Sequence, residues 1–256
     1  MKVGIIGSGG REHAFCYSLK KSSKIDKIYC FPGNAGTKLI AENVDIDINN
    51  FEKIRDYIKK NQIDFIVVGP EKPLVDGIVD YLEDNKIKVF GPSKIASQLE
   101  GSKIFTKKLC EKYNIPTAAF GILNSPKEAY AFLDKCNYPI VIKADGLAAG
   151  KGENKTHSTQ ALDEIFKGKF GEAKEVLIEE FLKGEEMSFF IISDGNTYKT
   201  FGTAQDHKRV YEGDKGKNTG GMGAYSPSRL ESEKLKEKIL DKIIKPTLKG
   251  LDNLGS

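Results

Sequence analysis

Residues 143–152 read KADGLAAGKG, two lysines flanking a run of small residues directly after the apolar triplet Ile140, Val141 and Ile142. A nucleotide-binding P-loop needs G-x-x-x-x-G-K followed by Ser or Thr. Here Gly146, Gly150 and Lys151 fall one residue short of that spacing, and Gly152 stands where the magnesium-binding hydroxyl should be. The stretch is not a P-loop, yet its composition suits polyphosphate. Lys143 closes a strand, which partly buries its stem and aims its ammonium. Lys151 sits on a loop that Gly146, Gly150 and Gly152 allow to move. A fixed lysine and a mobile one can grip a polyphosphate from two sides, the loop closing as a lid. The competing reading is a surface hairpin with two solvated lysines.

Upstream of this stretch, strands and helices alternate. KVGIIG is a short apolar strand, and REHAFCYSLKKS after it has helical spacing that lets Ala14, Cys16, Tyr17 and Leu19 share a buried side. KIYCFPGN is a second strand ending in a Pro-Gly turn. NNFEKIRDYIKKNQ is an amphipathic helix, with Asn50 as N-cap and Phe51, Ile54, Tyr57 and Ile58 on one face. IDFIVVGP is a buried strand, PLVDGIVDYLEDN a helix with proline at its start, and KVFGP another strand. Alternation of this kind means a parallel sheet with right-handed crossovers. Residues 1–100 are therefore expected to form a doubly wound α/β domain.

Residues 101–256 change character to α+β. Ser102 caps a helix over 103–113 that stops before Asn114 and Pro116, and Ser125 caps another with Pro126 in its first position. YPIVIKADG is a strand, and EVLIEEFLKGEEMSFFIISDGNTYK gives two or three antiparallel strands. ESEKLKEKILDKIIKPTLKGL is a helix broken or kinked at Pro246.

The totals exclude several classes. The 256 residues are 39% hydrophobic and 30% charged, as in a soluble globular protein of one large or two ordinary domains. A net charge of +4 makes no case for nucleic acid. No apolar run approaches the roughly 20 residues of a membrane span, and MKVGIIGSGG lacks signal-peptide architecture. The cysteines Cys16, Cys30, Cys110 and Cys136 have no C-x-x-C spacing, which suggests a reducing cytosol and no structural zinc.

Four further stretches carry chemistry. GSGGREHA (residues 7–14) follows a strand and opens a helix, so its glycines and helix N-terminus suit an anion. A dinucleotide fingerprint would need glycine where Glu12 stands, and the bland alternative is a tight turn. GPEKPL (69–74) lies at the carboxyl end of a parallel strand, where ligands bind in open α/β sheets. Glu71 there can hold a ribose hydroxyl or an amine, against the alternative of a proline-capped loop. IEEFLKGEE (178–186) is a strand entering an acidic linker; its backbone can meet an adenine edge, although acidic linkers are usually solvated. The most informative stretch is TAQDHKRVYEGDKGKNTGGMGAYSP (203–227). Its cluster Gln205, Asp206, His207, Lys208 and Arg209 suits an anionic substrate, and a loop so long and glycine-rich is costly to order without a task. His13 and His157 have no partners in sequence, so no metal triad is visible. There is no signature of a covalent nucleophile.

In order along the chain, GSGGREHA, GPEKPL, LEGSK, IKADGLAAGKG, IEEFLKGEE and QDHKRVYEGDKGKNTGGMGAYSP resemble the phosphoribosylamine–glycine ligases, or glycinamide ribonucleotide synthetases, of the ATP-grasp group. The resemblance runs from Lys2 to Pro227 and is most specific in QDHKR with NTGGMGAYSP. It implies an α/β N-terminal domain followed by an α+β ATP-grasp domain, with a lid subdomain over about 115–190. By the same resemblance Lys103 and Lys143 contact the phosphates of ATP, and the loop carrying Gly146, Gly150, Lys151 and Gly152 closes over them. Glu179 and the backbone of Phe181 and Leu182 meet adenine, and Glu186 takes the ribose. Gly9, Gly10 and Glu71, with Asp206, Lys208, Arg209, Gly221 and Met222, form the substrate site. Lys143, Asp206, His207 and Lys208 make the catalytic set.

The implied reaction uses ATP with Mg²⁺ or Mn²⁺ to turn glycine into glycyl phosphate, which the amine of 5-phosphoribosylamine attacks. Positioning and charge neutralisation carry such a reaction. Its partners are small molecules, with no nucleic acid and no membrane; the expected setting is the cytoplasm, with a monomer as the default. Members of the group continue past the equivalent of Ser256, so the metal ligands are expected beyond that residue and the chain alone is expected to turn over poorly. GENKTHSTQ (152–160) is polar where the group has an apolar strand, which leaves the return strand of the lid open. Two readings from other classes stand beside this one: a nucleotide-binding module without catalysis, and a dinucleotide-dependent oxidoreductase suggested only by GSGG.

Overall fold

In the first of two units, Met1–Gly101 and Ser102–Ser256, the apolar run at the N-terminus becomes strand β1 (Lys2–Gly7), and helix α1 (Gly10–Leu19) starts three residues after it. The computed structural model describes residues 1–135, 140–145, 159–167, 175–213 and 215–256. β2 (Lys27–Pro32) and the short β3 (Glu42–Asn43) follow, then α2 (Phe51–Asn61) and β4 (Phe65–Val68). Helices α3 (Glu71–Asp76) and α4 (Ile78–Asp84), strand β5 (Val89–Phe90) and α5 (Gln98–Gly101) complete the unit. All strand pairs are parallel, in the order β3-β2-β1-β4-β5. The chain thus winds outward from β1 in one direction and then in the other. The switch point lies between β1 and β4, where Val3 pairs with Phe65 and Ile6 with Val68. Ligands of open α/β sheets bind beyond the carboxyl ends of strands at such a point. Both GSGG and GPEKPL leave the sheet there.

The apolar positions account for the core. Ile54 and Ile58 of α2 are buried with Phe51 and Tyr57 packed beside them, and the Asn50 side chain accepts from Lys53 N at 3.0 Å as the N-cap. The inward face of α1 differs from the expected one. Tyr17 is 55% exposed and Ala14 faces solvent, whereas Glu12, Phe15, Cys16 and Leu19 point inward. The reason is Glu12, whose carboxylate is 4% exposed and accepts the Gly9 amide at 2.5 Å. A charged side chain therefore takes a place on the buried stripe, and Ala14 and Tyr17 fall outside it. The helix expected across PLVDGIVDYLEDN is instead two, because Gly77 sits at φ 95° and ends α3 in the left-handed region.

The second unit opens with α6 (Lys103–Lys112), capped by Ser102 Oγ on Phe105 N at 3.0 Å. Then come β6 (Phe120–Leu123), α7 (Pro126–Leu133) behind the Ser125 cap, β7 (Ile140–Ala144), α8 (Thr159–Phe166) and β8 (Val176–Glu180). These three strands form an antiparallel sheet in the order β6-β8-β7. On one face Ile140, Ile142, Ala144, Val176 and Ile178 pack under Ala129 and Leu133 of α7 and Leu162 and Ile165 of α8. Alternation along the strands sends Val141, Lys143, Leu177 and Glu179 to the opposite face.

A second antiparallel sheet joins β9 (Ser188–Ser193), β10 (Tyr198–Asp206) and β13 (Ala224–Tyr225) in the order β13-β10-β9, with the hairpin β11 (Arg209–Tyr211) and β12 (Lys215–Asn218) between. The last helical stretch is not broken at Pro246. Helix α9 (Glu233–Ile239) passes through a π-helical turn, Leu240–Ile244, into α10 (Lys245–Asp252). Proline lacks the N–H that an i→i−4 ladder needs, and a widened turn just before it absorbs the defect while the helix continues.

Glycine at two positions of the first unit answers to Glu12. A Cβ on Gly69 would lie 1.9 Å from Glu12 Oε1, and one on Gly7 2.6 Å from Glu12 Cδ. Gly69→Ala is expected to cost about 1–3 kcal/mol, and that cost should nearly vanish in a Glu12→Ala background. Gly7→Ala should stay costly in either background, because Gly7 also holds φ 129°. Urea unfolding of the three single and two double variants, as two double-mutant cycles sharing Glu12→Ala, measures both.

Candidate functional site

In the second unit, the face of β7 and β8 turned away from the α7–α8 core carries the charges. Glu179 is 7% exposed and holds two ammonium groups, Lys107 on Oε1 and Lys143 on Oε2, the latter at 2.8 Å. Burial pushes the Glu179 carboxyl toward its neutral form, but the hydrogen bonds from Lys107 and then Lys143 outweigh it and hold its pKa below the ordinary value. Lys107 is itself buried and also donates to Thr117 Oγ1 at 2.6 Å and Ala118 O at 3.2 Å, with the Phe120 ring centroid 5.2 Å away. Past Lys143, the Asp145 carboxylate reaches the start of α6, accepting from Ser102 Oγ at 2.9 Å and Ile104 N at 3.1 Å. An acid at a helix N-terminus is favourable, and this one ties the end of β7 to the turn that begins with Lys103.

A cavity of about 1010 Å³ opens beside this face. Val141 and Lys143 form part of one wall, the linker 181–186 supplies Phe181, Leu182 and Glu186, and Gln205, Asp206, His207, Lys208 and Arg209 form another. Two ion pairs join linker to wall: Glu186 with Lys208 at 2.7 Å, and Glu185 with Arg229. Backbone bonds fix the QDHKR turn, since His207 N donates to Gly223 O at 2.9 Å and His207 O accepts from Met222 N at 2.7 Å. Arg209 Nη1 donates to Gly216 O at 2.6 Å, and Tyr225 OH reaches Gln205 Oε1. The arrangement is a polar cleft with cations on two sides and an acidic linker between them, a size and chemistry suited to a nucleotide.

Among the expected site residues, Lys143, Phe181, Leu182, Glu186, Asp206, His207, Lys208 and Arg209 line this one cavity. Glu179 lies behind it, paired with the lysines. Lys103 is half-buried at the first position of α6 and is not in the described lining. Gly221 and Met222 are exposed on the turn that pairs with His207. Gly146, Gly150, Lys151 and Gly152 lie outside the described residues, as does most of the polar segment 152–160.

In the first unit, Gly9 and Gly10 are exposed at the switch point, with Glu12 on the Gly9 amide. Glu71 pairs with Arg11 at 3.0 Å, and Arg11 also donates to Gly69 O at 2.7 Å. Burial tends to raise the Glu71 pKa, while the amide of Glu71 and the Arg11 guanidinium keep it lowered. Asn34 donates to Ser8 O at 2.9 Å and to Gly9 O at 3.2 Å. Arg11, Asn34 and Lys107 were not legible as site residues. For Lys107 the available signal was its place between Ile104 and Cys110 at helical spacing, a lysine on an otherwise buried stripe.

Two family models divide the chain between them. The N domain of phosphoribosylglycinamide synthetase matches residues 1–100, and the ATP-grasp (A) domain of the same family matches residues 101–256. The chain belongs to the phosphoribosylglycinamide synthetase family. A phosphoribosylamine–glycine ligase of Mesorhizobium japonicum is 51% identical over 261 residues, a match that takes in 100% of this chain and 61% of the relative. The crystal structure of a phosphoribosylamine–glycine ligase from Thermotoga maritima superposes with a TM-score of 0.79 at 33% identity, over 100% of this chain and 62% of that one. The biotin carboxylase domain of the Hydrogenobacter thermophilus 2-oxoglutarate carboxylase shares the fold at TM-score 0.74 and 19% identity, over 97% of this chain and 58% of that one. The chain thus spans about three fifths of the length of its phosphoribosylglycinamide synthetase relatives.

The Glu179 cluster sets a pH dependence. A carboxylate with a lowered folded-state pKa stabilises the fold above the unfolded value, and that stabilisation is lost as pH falls through the folded value. Glu179→Gln should cost about 3 kcal/mol near pH 7, since it leaves two ammonium groups without their carboxylate. The deficit should shrink below pH 4.5, the ordinary glutamate value, as the unaltered protein loses the same contribution. Urea unfolding at pH 7 and at pH 4 checks the sign.

Proposed function

We propose that this chain carries the nucleotide-handling part of an ATP-dependent carboxylate–amine ligase of purine biosynthesis, one that joins glycine to 5-phosphoribosylamine and gives glycinamide ribonucleotide, ADP and phosphate. The observation that carries the reading is the single cavity of about 1010 Å³ that gathers Lys143, the linker 181–186 and the QDHKR turn in a chain of this family. Family membership names the chemistry, and the cavity supplies residues able to do it.

Each group has a task in this reading. The backbone of Phe181 and Leu182 meets the adenine edge and Glu186 takes the ribose hydroxyls, exchanging its ion pair with Lys208 for them. Lys143, and Lys103 from the start of α6, neutralise phosphate oxygens, with the loop through Gly146, Gly150, Lys151 and Gly152 closing above. A glycine carboxylate oxygen attacks the γ-phosphorus and ADP leaves. The amine nitrogen of phosphoribosylamine then attacks the acyl carbon of glycyl phosphate, phosphate departs, and the nitrogen gives up its proton. In this reading Lys208 and Arg209 neutralise these anions and Asp206 and His207 orient the reacting groups, with Gly221 and Met222 on the adjoining turn. Gly9, Gly10 and Glu71 are assigned to phosphoribosylamine. No side-chain nucleophile is required.

A divalent cation belongs to such chemistry, as Mg²⁺ or Mn²⁺. Among the described residues no three His, Cys, Asp or Glu side chains gather as a ligand set; in nucleotide sites such an ion is usually held by one or two carboxylates together with substrate phosphates. Among them, too, no helix is long and apolar enough to cross a membrane. A cytoplasmic monomer acting on small molecules remains the proposed setting.

Calorimetric titration with ADP tests the site. Lys143→Met should weaken ADP by about 10- to 150-fold, the size of a lost hydrogen bond to a charged group, and should leave adenosine affinity unchanged. Equal losses for both ligands would count against a phosphate contact. Incubation with ATP, Mg²⁺, glycine and fresh phosphoribosylamine tests catalysis. ADP release that depends on both co-substrates supports the ligase, whereas ADP binding without release favours the non-catalytic module.

A further inference from the structure

Gln205 lines the cavity at the head of the QDHKR turn, and the proposed chemistry gives it no task. It stands on β10 directly opposite Tyr225 of β13, so the two side chains share a face of the sheet. Two hydroxyls hold its carboxamide: Oε1 accepts from Tyr225 OH and from Ser228 Oγ, the latter at 3.2 Å. Both hydroxyls are themselves anchored. Ser228 is 4% exposed and its amide donates to Thr203 Oγ1 at 3.0 Å, while Thr203, also buried, donates to Glu231. The Tyr225 ring packs against His207, with centroids 5.8 Å apart.

These contacts decide which end of the amide faces the cleft. A hydroxyl can donate or accept, so Tyr225 alone would leave the choice open. Ser228 closes it. Its oxygen already accepts from Leu230 N at 3.2 Å, and its own proton, in a residue so nearly enclosed, needs an acceptor. Among the described residues Gln205 Oε1 is that acceptor. The carbonyl end is therefore turned into the protein, and neither hydroxyl engages Nε2. No buried side-chain nitrogen or oxygen among the described residues lacks a partner, so Nε2 is not sealed away: its two N–H donors open on the cavity that Gln205 lines.

We propose that Gln205 is a ligand-binding residue of the cleft, its carboxamide locked by Tyr225 and Ser228 so that the N–H donors meet a phosphate oxygen of the bound nucleotide. In the nucleotide reading the linker 181–186 takes adenine and ribose, which leaves the phosphate end to the QDHKR wall. A neutral amide contributes something there that an ammonium does not, because its donors lie in a fixed plane and demand an acceptor at a set angle. The amide is oriented before the ligand arrives, so little side-chain freedom is lost on binding.

This inference rests on the nucleotide reading of the cavity, and the experiment separates the two. The 256-residue chain and its Gln205→Met and Gln205→Glu variants are titrated with ADP and with adenosine, after melting curves establish that each is folded. Gln205→Met, uncharged and of similar length, is expected to weaken ADP about tenfold or more with adenosine unchanged. In Gln205→Glu a carboxylate oxygen still accepts from both hydroxyls, so the fold is kept while the side-chain amide signal disappears, which identifies the Gln205 NH₂ pair in nitrogen–proton NMR spectra. In the unaltered chain ADP should move that pair and adenosine should leave it in place. Unchanged ADP affinity in folded Gln205→Met, an equal fall for ADP and adenosine, or an NH₂ pair that ADP does not move each overturns the donor role and leaves the nucleotide site standing. Failure of the unaltered chain to bind ADP overturns the nucleotide reading and this inference with it. Should Gln205→Met not fold, the NMR comparison of ADP with adenosine decides alone.

Discussion

A carboxylate shared by two lysines governs the second unit. Moving an ion from water into a protein interior costs several kcal/mol even after relaxation, so Glu179 is tolerable at 7% exposure only because Lys107 and Lys143 meet both of its oxygens. The requirement works outward in three directions. It fixes which face of β8 looks away from the α7–α8 core, because the alternation that buries Ile178 against Leu162 and Ile165 must put Glu179 on the other side. It draws Lys107 inward from α6, and it sets Lys143 on β7 at a defined point of the cavity wall. The Asp145 carboxylate on the first turn of α6 closes the same circuit from the end of β7.

The first unit solves a similar problem at a different place. Glu12 is buried at the beginning of α1, where the backbone amide of Gly9 and the helix N-terminus favour a negative charge. Gly7 and Gly69, at the ends of β1 and β4, leave the room its side chain fills. The glycine-rich turn therefore has a structural task before any ligand arrives. Around it, the exposed amide edge of Gly10, the Arg11–Glu71 pair and the Asn34 amide lie at the point where the winding of the sheet reverses.

Features set by neighbours in sequence could be read in advance, and those set by distant partners could not. Asn50, Ser102 and Ser125 were legible as caps because a cap is a contact over three residues. The parallel first sheet followed from alternating periods of two and 3.6. The buried side of α1 was misplaced because Glu12 is held by a local amide and by glycines from β1 and β4, which no periodicity reports. The single helix expected across PLVDGIVDYLEDN contains Gly77, whose left-handed conformation divides α3 from α4. The grouping of Lys143 with QDHKR in one cavity was legible through motif likeness alone; in the fold, the pairing of β7 with β8, about 35 residues apart in sequence, sets Lys143 beside the strand that leads into the linker, and the Glu186–Lys208 ion pair joins that linker to QDHKR. Lys107 was hidden because a lysine in a helix is ordinarily solvent-facing, and only the fold reveals the carboxylate it meets.

Burial divides the charges of the cavity into two kinds. The Lys107–Glu179 pair is almost fully enclosed, with both side chains below a tenth exposed, so breaking it leaves ions without water. Glu186 is 73% exposed and Lys208 38%, and Glu185 and Arg229 are similarly open, so these pairs contribute about 0–1 kcal/mol each. A ligand that offers hydroxyls to Glu186 and anionic oxygen to Lys208 can exchange for that pair at little cost, because water and ligand both replace what is lost. No such exchange is open to Glu179. The cleft therefore combines a fixed cation, held from behind by a permanent pair, with rim charges that trade partners readily. That combination suits a site which must bind a polyanion in one place and release a product through its mouth.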